Sequence, residues 1–243
     1  MNTYTISLTA NNGISIKMPS GIIWIDALHH VKTTVYSTLD EEIKEWFFSD
    51  PDTVGSLSEG PDVTAFTHCH TDHFSAKLAR YAKDRWPRTK LVIPEAYFPD
   101  QILPRESFSF STAGDTVIDM IKAPHSGKEY KTHNSFYIGI RDAHASILIT
   151  GDTAISDQSI REYALKYQPD IAFVNFAWLL FNNGREAIEK FMNPKHLFIT
   201  HLPFEKDDTD KLLPLSRKAA AKLKGSYDLC FLDQRFQKET VSV

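Results

Sequence analysis

The chain has 243 residues, 42% of them hydrophobic and 24% charged, a balance that excludes a disordered or fibrous protein and allows a substantial core. A formal net charge of -4 at pH 7 offers no global attraction to nucleic acid or an anionic membrane, so the expected partner is a small molecule. Two cysteines, Cys69 and Cys230, exclude a disulfide framework and suit a reducing compartment.

The opening MNTYTISLTA lacks the basic start and apolar core of a secretion signal, and no later run is apolar over a bilayer's width. A cytoplasmic protein is expected. TYTISLT and ISIKM flank Asn11-Asn12-Gly13, and alternation around residues that tolerate positive φ predicts a hairpin. GIIWID reads as a buried strand, and a helix is expected from Leu39 to Phe48, stopping before Asp50-Pro51. DVTAFT is the next strand and runs directly into a histidine-rich segment; Ser75 to Trp86 follows as a helix stopped by Pro87. LVIP is a short strand, and the proline- and aromatic-rich stretch from Pro94 to Pro104 reads as irregular and suited to a pocket rim. TVIDMIKAP, SFYIGI and ASILIT are β runs separated by polar loops, expected to form an antiparallel part of a sheet.

The rhythm then changes. A helix from Ser156 to Tyr167, the strand IAFVNF, a helix from Gly184 to Met192, the strand HLFIT and a helix from Asp208 to Lys224 around Pro214 follow, with YDLCFL as a last strand. Two sheets burying their apolar faces against each other with helices outside fit this order: a four-layer αββα sandwich of the α+β class, forming one domain over residues 1–243. The pattern alone does not separate it from other mixed α and β arrangements.

The most informative segment is Thr67-His68-Cys69-His70-Thr71-Asp72-His73. His68 and His70 can point the same way from an extended loop, while a tighter turn at Asp72 and His73 can aim two further ligands at a neighbouring ion. Asp72 alone could cap the next helix, but a cap needs one acceptor and accounts for none of the histidines. The same alternation turns Cys69 away from the ligands, as a buried thiol. Further donors are expected just after apolar strands, where loops commonly carry chemistry: His125 after TVIDMIKAP, Asp152 after ASILIT and His201 after HLFIT. Each has a plain alternative as a loop or turn residue. His133 competes with His125, and the Gly-Asp-Thr at Asp152 also occurs at Gly114 to Thr116, where it reads as a hairpin turn.

THCHTDH matches the HxHxDH signature of the metallo-β-lactamase superfamily, which the chain resembles over most of its length, with His125, Asp152 and His201 following in the family's order. The resemblance implies the αββα fold, one metal held by His68, His70 and His125, a second by Asp72, His73 and His201, and Asp152 bridging both. Asp26, closing GIIWID, looks like the family's early aspartate, which orients a ligand histidine; a turn aspartate is the alternative. IIWIDAL, KAPHSG and LITGDT look most like the branch with the ascorbate 6-phosphate lactonases and related metal-dependent hydrolases. His70 stands where the flavodiiron oxidoreductases of this fold place a glutamate, so hydrolysis is expected over redox chemistry. His29 and His30 match no motif and are expected in solvent or a pocket wall.

The expected function is hydrolysis of a small, anionic lactone or ester by a hydroxide bridged between two divalent ions, with zinc as default and manganese or iron accepted by the same shell. Asp72 would serve as ligand and as orienting group or proton acceptor of the nucleophile. His133, Lys128, Tyr130 and Lys131 are candidates for the general acid or an anion clamp, each with ordinary loop solvation as alternative. Trp178, Leu179, Leu180 and Phe181 would line an apolar pocket or belong to the core or an interface. The rival readings are a phosphodiesterase or nuclease of the same fold, which the acidic charge disfavours, and a non-catalytic metal-binding protein. No coiled-coil pattern is evident; exposed aromatic segments leave room for a homo-oligomer.

Overall fold

The hairpin at the start forms as the alternation requires: β1 (Thr3–Leu8) and β2 (Ile14–Met18) pair antiparallel, and Asn11 takes the positive φ of the turn at 53°. The computed structural model describes residues 2–30, 35–112, 114–127 and 134–243. β3 (Gly21–Ile25) continues the meander, and β4 (Val63–Ala65) and β5 (Lys90–Val92) add parallel strands beside it. A second sheet begins with the antiparallel run β6 (Phe108–Ser111), β7 (Val117–Ala123), β8 (Ser135–Arg141) and β9 (Ser146–Ile149). It ends with β10 (Ile171–Asn175), β11 (His196–Thr200) and β12 (Asp228–Phe231), all parallel to β9. β13 (Lys238–Ser242) returns to the first sheet, beside β1, which gives the orders β13-β1-β2-β3-β4-β5 and β12-β11-β10-β9-β8-β7-β6.

Three apolar layers follow from strand alternation. In β3, Ile23 and Ile25 enter the core between the sheets, whereas Ile22 and Trp24 face outward to Phe47, Phe48 and Trp86. In β10, Ile171 and Phe173 face the same central core and Ala172 and Val174 face Ile160, Trp178 and Leu213. Strands covered on both faces read as continuous apolar runs, and this explains why GIIWI and IAFVN show no alternation. Helices α1 (Glu41–Phe47), α2 (Pro51–Val54) and α3 (Ala76–Arg85) cover the first sheet. Helices α4 (Gln158–Tyr167), α5 (Ala177–Leu180), α6 (Asn182–Ala187) and α7 (Leu212–Ala220) cover the second. The expected α+β, four-layer αββα sandwich is thus the observed one. No helix among the described residues is long and apolar enough to cross a membrane.

Several boundaries differ from the sequence reading. Asp50-Pro51 ends α1 but also starts α2: the Asp50 carboxylate accepts from Asp52 N at 2.8 Å, with proline in the first turn. The last helix is shorter than Asp208 to Lys224: it runs over Leu212–Ala220, after a left-handed Lys211, and the Asp208 carboxylate ahead of it accepts from Leu212 N and Leu213 N in its first turn. The helix expected from Gly184 begins at Asn182 and closes as a π-helical turn over Ile188–Met192. YDLCFL is not the last strand; the charged KETVS forms β13, and its pairing with β1 supplies what its composition does not. Edge strand β6 was likewise hidden in a stretch of serines and phenylalanines.

Candidate metal centre

All seven expected donors leave the ends of strands at one rim of the sandwich. His68, His70, Asp72 and His73 follow β4, His125 follows β7, Asp152 follows β9 and His201 follows β11. The register makes these ends neighbours: β3 lies beside β4, β10 lies between β9 and β11, and an isolated bridge joins His125 to Thr153. Three strand exits take a left-handed conformation that turns the chain into the site, at Asp26 (φ 49°), Gly151 (φ 51°) and His201 (φ 63°). At Gly151 a Cβ would sit 2.8 Å from the Thr67 Cβ, so only glycine lets the β9 exit approach the histidine loop this closely. That loop closes on itself through His73 N and Phe74 N, which both donate to His70 O. Ser75 caps α3 by accepting from Leu78 N, which leaves Asp72 free of that role.

Two triads result. His68 Nε2 lies 3.0 Å from His70 Nδ1 and 3.3 Å from His125 Nε2. His201 Nε2 lies 3.1 Å from His73 Nε2 and 3.3 Å from Asp72 Oδ2, with His73 Nε2 3.7 Å from the same oxygen. Asp152 stands between them, its Oδ2 3.7 Å from His125 Nε2, 3.5 Å from His73 Nε2 and 3.4 Å from His201 Nε2. It therefore groups with one histidine of each triad, His68 and His73. Donors of a tetrahedral shell with bonds of about 2.1 Å are about 3.4 Å apart, the scale of these separations. Bare ring nitrogens facing each other at such distances repel unless a proton or a cation lies between them, so the donor set fits a metal ion at each triad.

A second layer decides which nitrogen faces inward. Asp26, fully buried, accepts from His73 Nδ1 at 2.9 Å, from Thr67 N and Thr67 Oγ1 at 2.7 Å each, and from Asn12 Nδ2 at 3.0 Å. Because the Thr67 hydroxyl donates to Asp26, its lone pair accepts from His68 Nδ1 at 3.1 Å. One carboxylate thereby fixes the ring orientation of His73 directly and of His68 through Thr67, so that the Nε2 atoms of both face the site. His125 is fixed the same way by Nδ1 donating to Ser126 O.

Electrostatics follow the burial. Burial pushes His68 well below its ordinary pKa, and the neighbouring His73 adds to this. At His73 burial opposes the charge but Asp152, Asp26 and Asp72 outweigh it, so its pKa is pushed well above the usual value. Asp72 and Asp152 are held well below the carboxylate range against the opposing effect of burial, Asp72 chiefly by His73 and Asp152 chiefly by His201 and then His73. Both carboxylates are thus anions at neutral pH.

Some expectations are corrected. His29 is not a solvent or wall residue: it is fully buried, donating from Nε2 to Ala10 O at 3.1 Å, and burial followed by the charge of His73 lowers its pKa to about 4. His30 is exposed. Cys69 is half-buried on the helix side of the loop and belongs to neither triad. Trp178 and Leu179 are core residues of the outer layer, and only Phe181 of that segment is largely exposed. Lys128, Tyr130, Lys131 and His133 lie outside the described residues. Sequence reasoning missed Asn175, whose Nδ2 donates to Asp152 Oδ1 at 2.6 Å, and Thr67. Asn175 ends the strand IAFVN, and the same search after strand ends would have found it had amides been included with His and Asp.

No family model and no curated protein sequence matches the chain. Solved structures do. The metallo-beta-lactamase fold protein YhfI from Bacillus subtilis superposes with a TM-score of 0.65 at 14% identity, covering 99% of this chain and 100% of that one. Igni18, described as a novel metallo hydrolase from the archaeon Ignicoccus hospitalis, gives 0.65 at 15% identity over 99% of both chains. CmlA, a diiron beta-hydroxylase from Streptomyces venezuelae, gives 0.62 at 10% identity, covering 99% of this chain but 54% of its own. The chain has the metallo-β-lactamase fold.

Proposed function

We propose that this protein is a metal-dependent hydrolase that holds two divalent ions at the strand ends and cleaves a small, anionic lactone or ester. The observation that carries the reading is the position of Asp152 Oδ2, within 3.4–3.7 Å of imidazole nitrogens from both triads. His68, His70 and His125 would hold one ion, Asp72, His73 and His201 the other, and Asp152 would bridge them. Five imidazoles and two carboxylates favour zinc, the ion this donor chemistry suits best among those commonly available. Such ions supply hydroxide at neutral pH and a Lewis acid for a carbonyl or phosphoryl oxygen.

The protein's own residues supply orientation. Asp26 and Thr67 fix the ligand ring orientations, and Asp72 orients the nucleophile; its low proton affinity favours this role over that of a strong general base. Among relatives in fold, Igni18 is described as a metallo hydrolase, which supports hydrolysis. The lactone-like substrate class rests on the resemblance of IIWIDAL, KAPHSG and LITGDT to the ascorbate 6-phosphate lactonase branch, and an anionic group would find Lys128 and Lys131 just after His125 in the sequence. The expected compartment is the cytoplasm.

Elemental mass spectrometry on the purified protein tests the reading. Close to two transition-metal ions per wild-type chain, reduced in Asp152→Ala and His68→Ala, is the expected result, followed by turnover of lactones or esters in preference to phosphodiesters. Absence of bound metal after resupply overturns the proposal; turnover of phosphodiesters alone overturns the substrate class.

A further inference from the structure

Asp152 has two oxygens, and only Oδ2 faces the histidines. The other is taken. Asn175, 6% exposed at the last position of β10, donates from Nδ2 to Asp152 Oδ1 at 2.6 Å. The orientation of its amide is forced, because Asn175 Oδ1 accepts from Ala177 N at 2.9 Å at the start of α5, and a flipped amide would set NH2 against that N–H and oxygen against the carboxylate. Its backbone is held as well, with Asn175 N donating to Thr150 Oγ1 at 3.3 Å, next to the β9 exit that carries Asp152. Two strands and a helix start thus converge on one amide whose remaining donor meets the carboxylate between the two triads.

We propose that Asn175 is a positioning residue that holds the Asp152 carboxylate so that Oδ2, and not Oδ1, is presented to both histidine triads. The inference rests on the two-ion reading above. A carboxylate free at both oxygens can chelate one ion, span two ions with one oxygen each, or share one oxygen between them. Oδ2 is the oxygen that lies toward imidazoles of both triads, and the donor on Oδ1 disfavours turning that oxygen toward either triad and resists rotation of the carboxylate about its own axis. One oxygen presented to both triads would hold two ions close together, in keeping with the separation of about 3.5–4 Å at two-metal hydrolytic sites. Unlike Asp26 and Thr67, which orient imidazoles, Asn175 acts on the residue common to both ions, so its loss weakens both binding steps.

The test compares wild type, Asn175→Ala and Asn175→Ser at pH 8 by chelator competition for zinc and by X-ray absorption measurement of the metal–metal distance. Asn175→Ser keeps an oxygen acceptor for Ala177 N, adds no charge, and is too short to donate to Asp152 Oδ1. We expect both variants to bind zinc about 10–100-fold more weakly, with a lengthened or dispersed metal–metal distance. Wild-type affinity and distance in Asn175→Ser, with loss only in Asn175→Ala, would assign Asn175 to the start of α5 and overturn the proposal. So would wild-type behaviour in both. A wild-type chain that binds fewer than two ions overturns the two-ion reading itself, an outcome distinct from the variants matching a two-ion wild type.

Discussion

The tripeptide Gly-Asp-Thr occurs twice in one sheet, at opposite ends of parallel strands, with opposite fates. At Gly114–Thr116 it turns the chain from β6 into β7; Asp115 sits exposed at φ 58°, and Thr112 N donates to Thr116 O across the turn. At Gly151–Thr153 it leaves β9, and Asp152 is 8% exposed, with one oxygen on Asn175 and the other among three histidines. β7 covers Val117–Ala123, about 23 Å of strand, so the first copy lies a full sheet length from the rim that the second helps build. The local chemistry is the same in both; what differs is which end of the sheet receives it. A turn aspartate becomes a candidate ligand where strand exits from two sheets meet.

The sharpest way to break this contrast is Asp152→Ala, for which we expect loss of bound metal and a fall in turnover on the order of 10³-fold, the scale of losing one preorganised charged group. Retained stoichiometry would sink the idea that the rim is the metal centre. Next in size is a pH effect confined to the same rim. His29 has its pKa lowered to about 4 by burial and then by His73, so between pH 6.5 and 4 the unfolded chain binds a proton that the folded chain refuses. Stability therefore falls as pH falls through that window, by about 3 kcal/mol at its lower end. Denaturant titrations in the presence of chelator should show a flatter profile for His29→Phe than for wild type; identical profiles would remove His29 as the cause. Smaller again, Asp26→Asn should weaken zinc binding about 10–100-fold by loosening His73 and His68 while leaving the fold intact, read by chelator competition. At the other end of the sheet, Asp115→Asn should change stability by no more than about 0.5 kcal/mol and leave metal content untouched, because asparagine tolerates the positive φ. Metal loss in Asp115→Asn would dissolve the comparison.

Much of the site was legible because its donors cluster in sequence. His68, His70, Asp72 and His73 need no fold to be read as a unit; strand periodicity placed His125, Asp152 and His201 at strand exits, and the family resemblance, by its order of ligands, singled them out from His133 and the other Gly-Asp-Thr. The second layer was not legible. Thr67, Asn12 and Asn175 are ordinary polar residues until β3, β4, β9 and β10 bring them to Asp26 and Asp152. His29 was misread for the same reason: a histidine beside an exposed one gives no local sign that its ring is packed under the β1–β2 turn. In the fold, α2 and β13 escaped notice because a four-residue helix and a charged edge strand carry too little periodicity to register.

What the sequence by itself determined is whatever repeats within a few residues: the apolar runs that become covered strands, the capping aspartates and serines, the left-handed turn at Asn11, and the histidine cluster. Propensity, alternation and spacing act over one or two turns of chain and are fully written there. Tertiary structure alone decided which strand ends share a rim, which of two identical tripeptides joins it, and which nitrogen of each histidine faces inward. Those depend on hydrogen bonds between residues far apart in the chain, as between Asp26 and His73 or Asn175 and Asp152, and such contacts exist only once both sheets have closed on their common core.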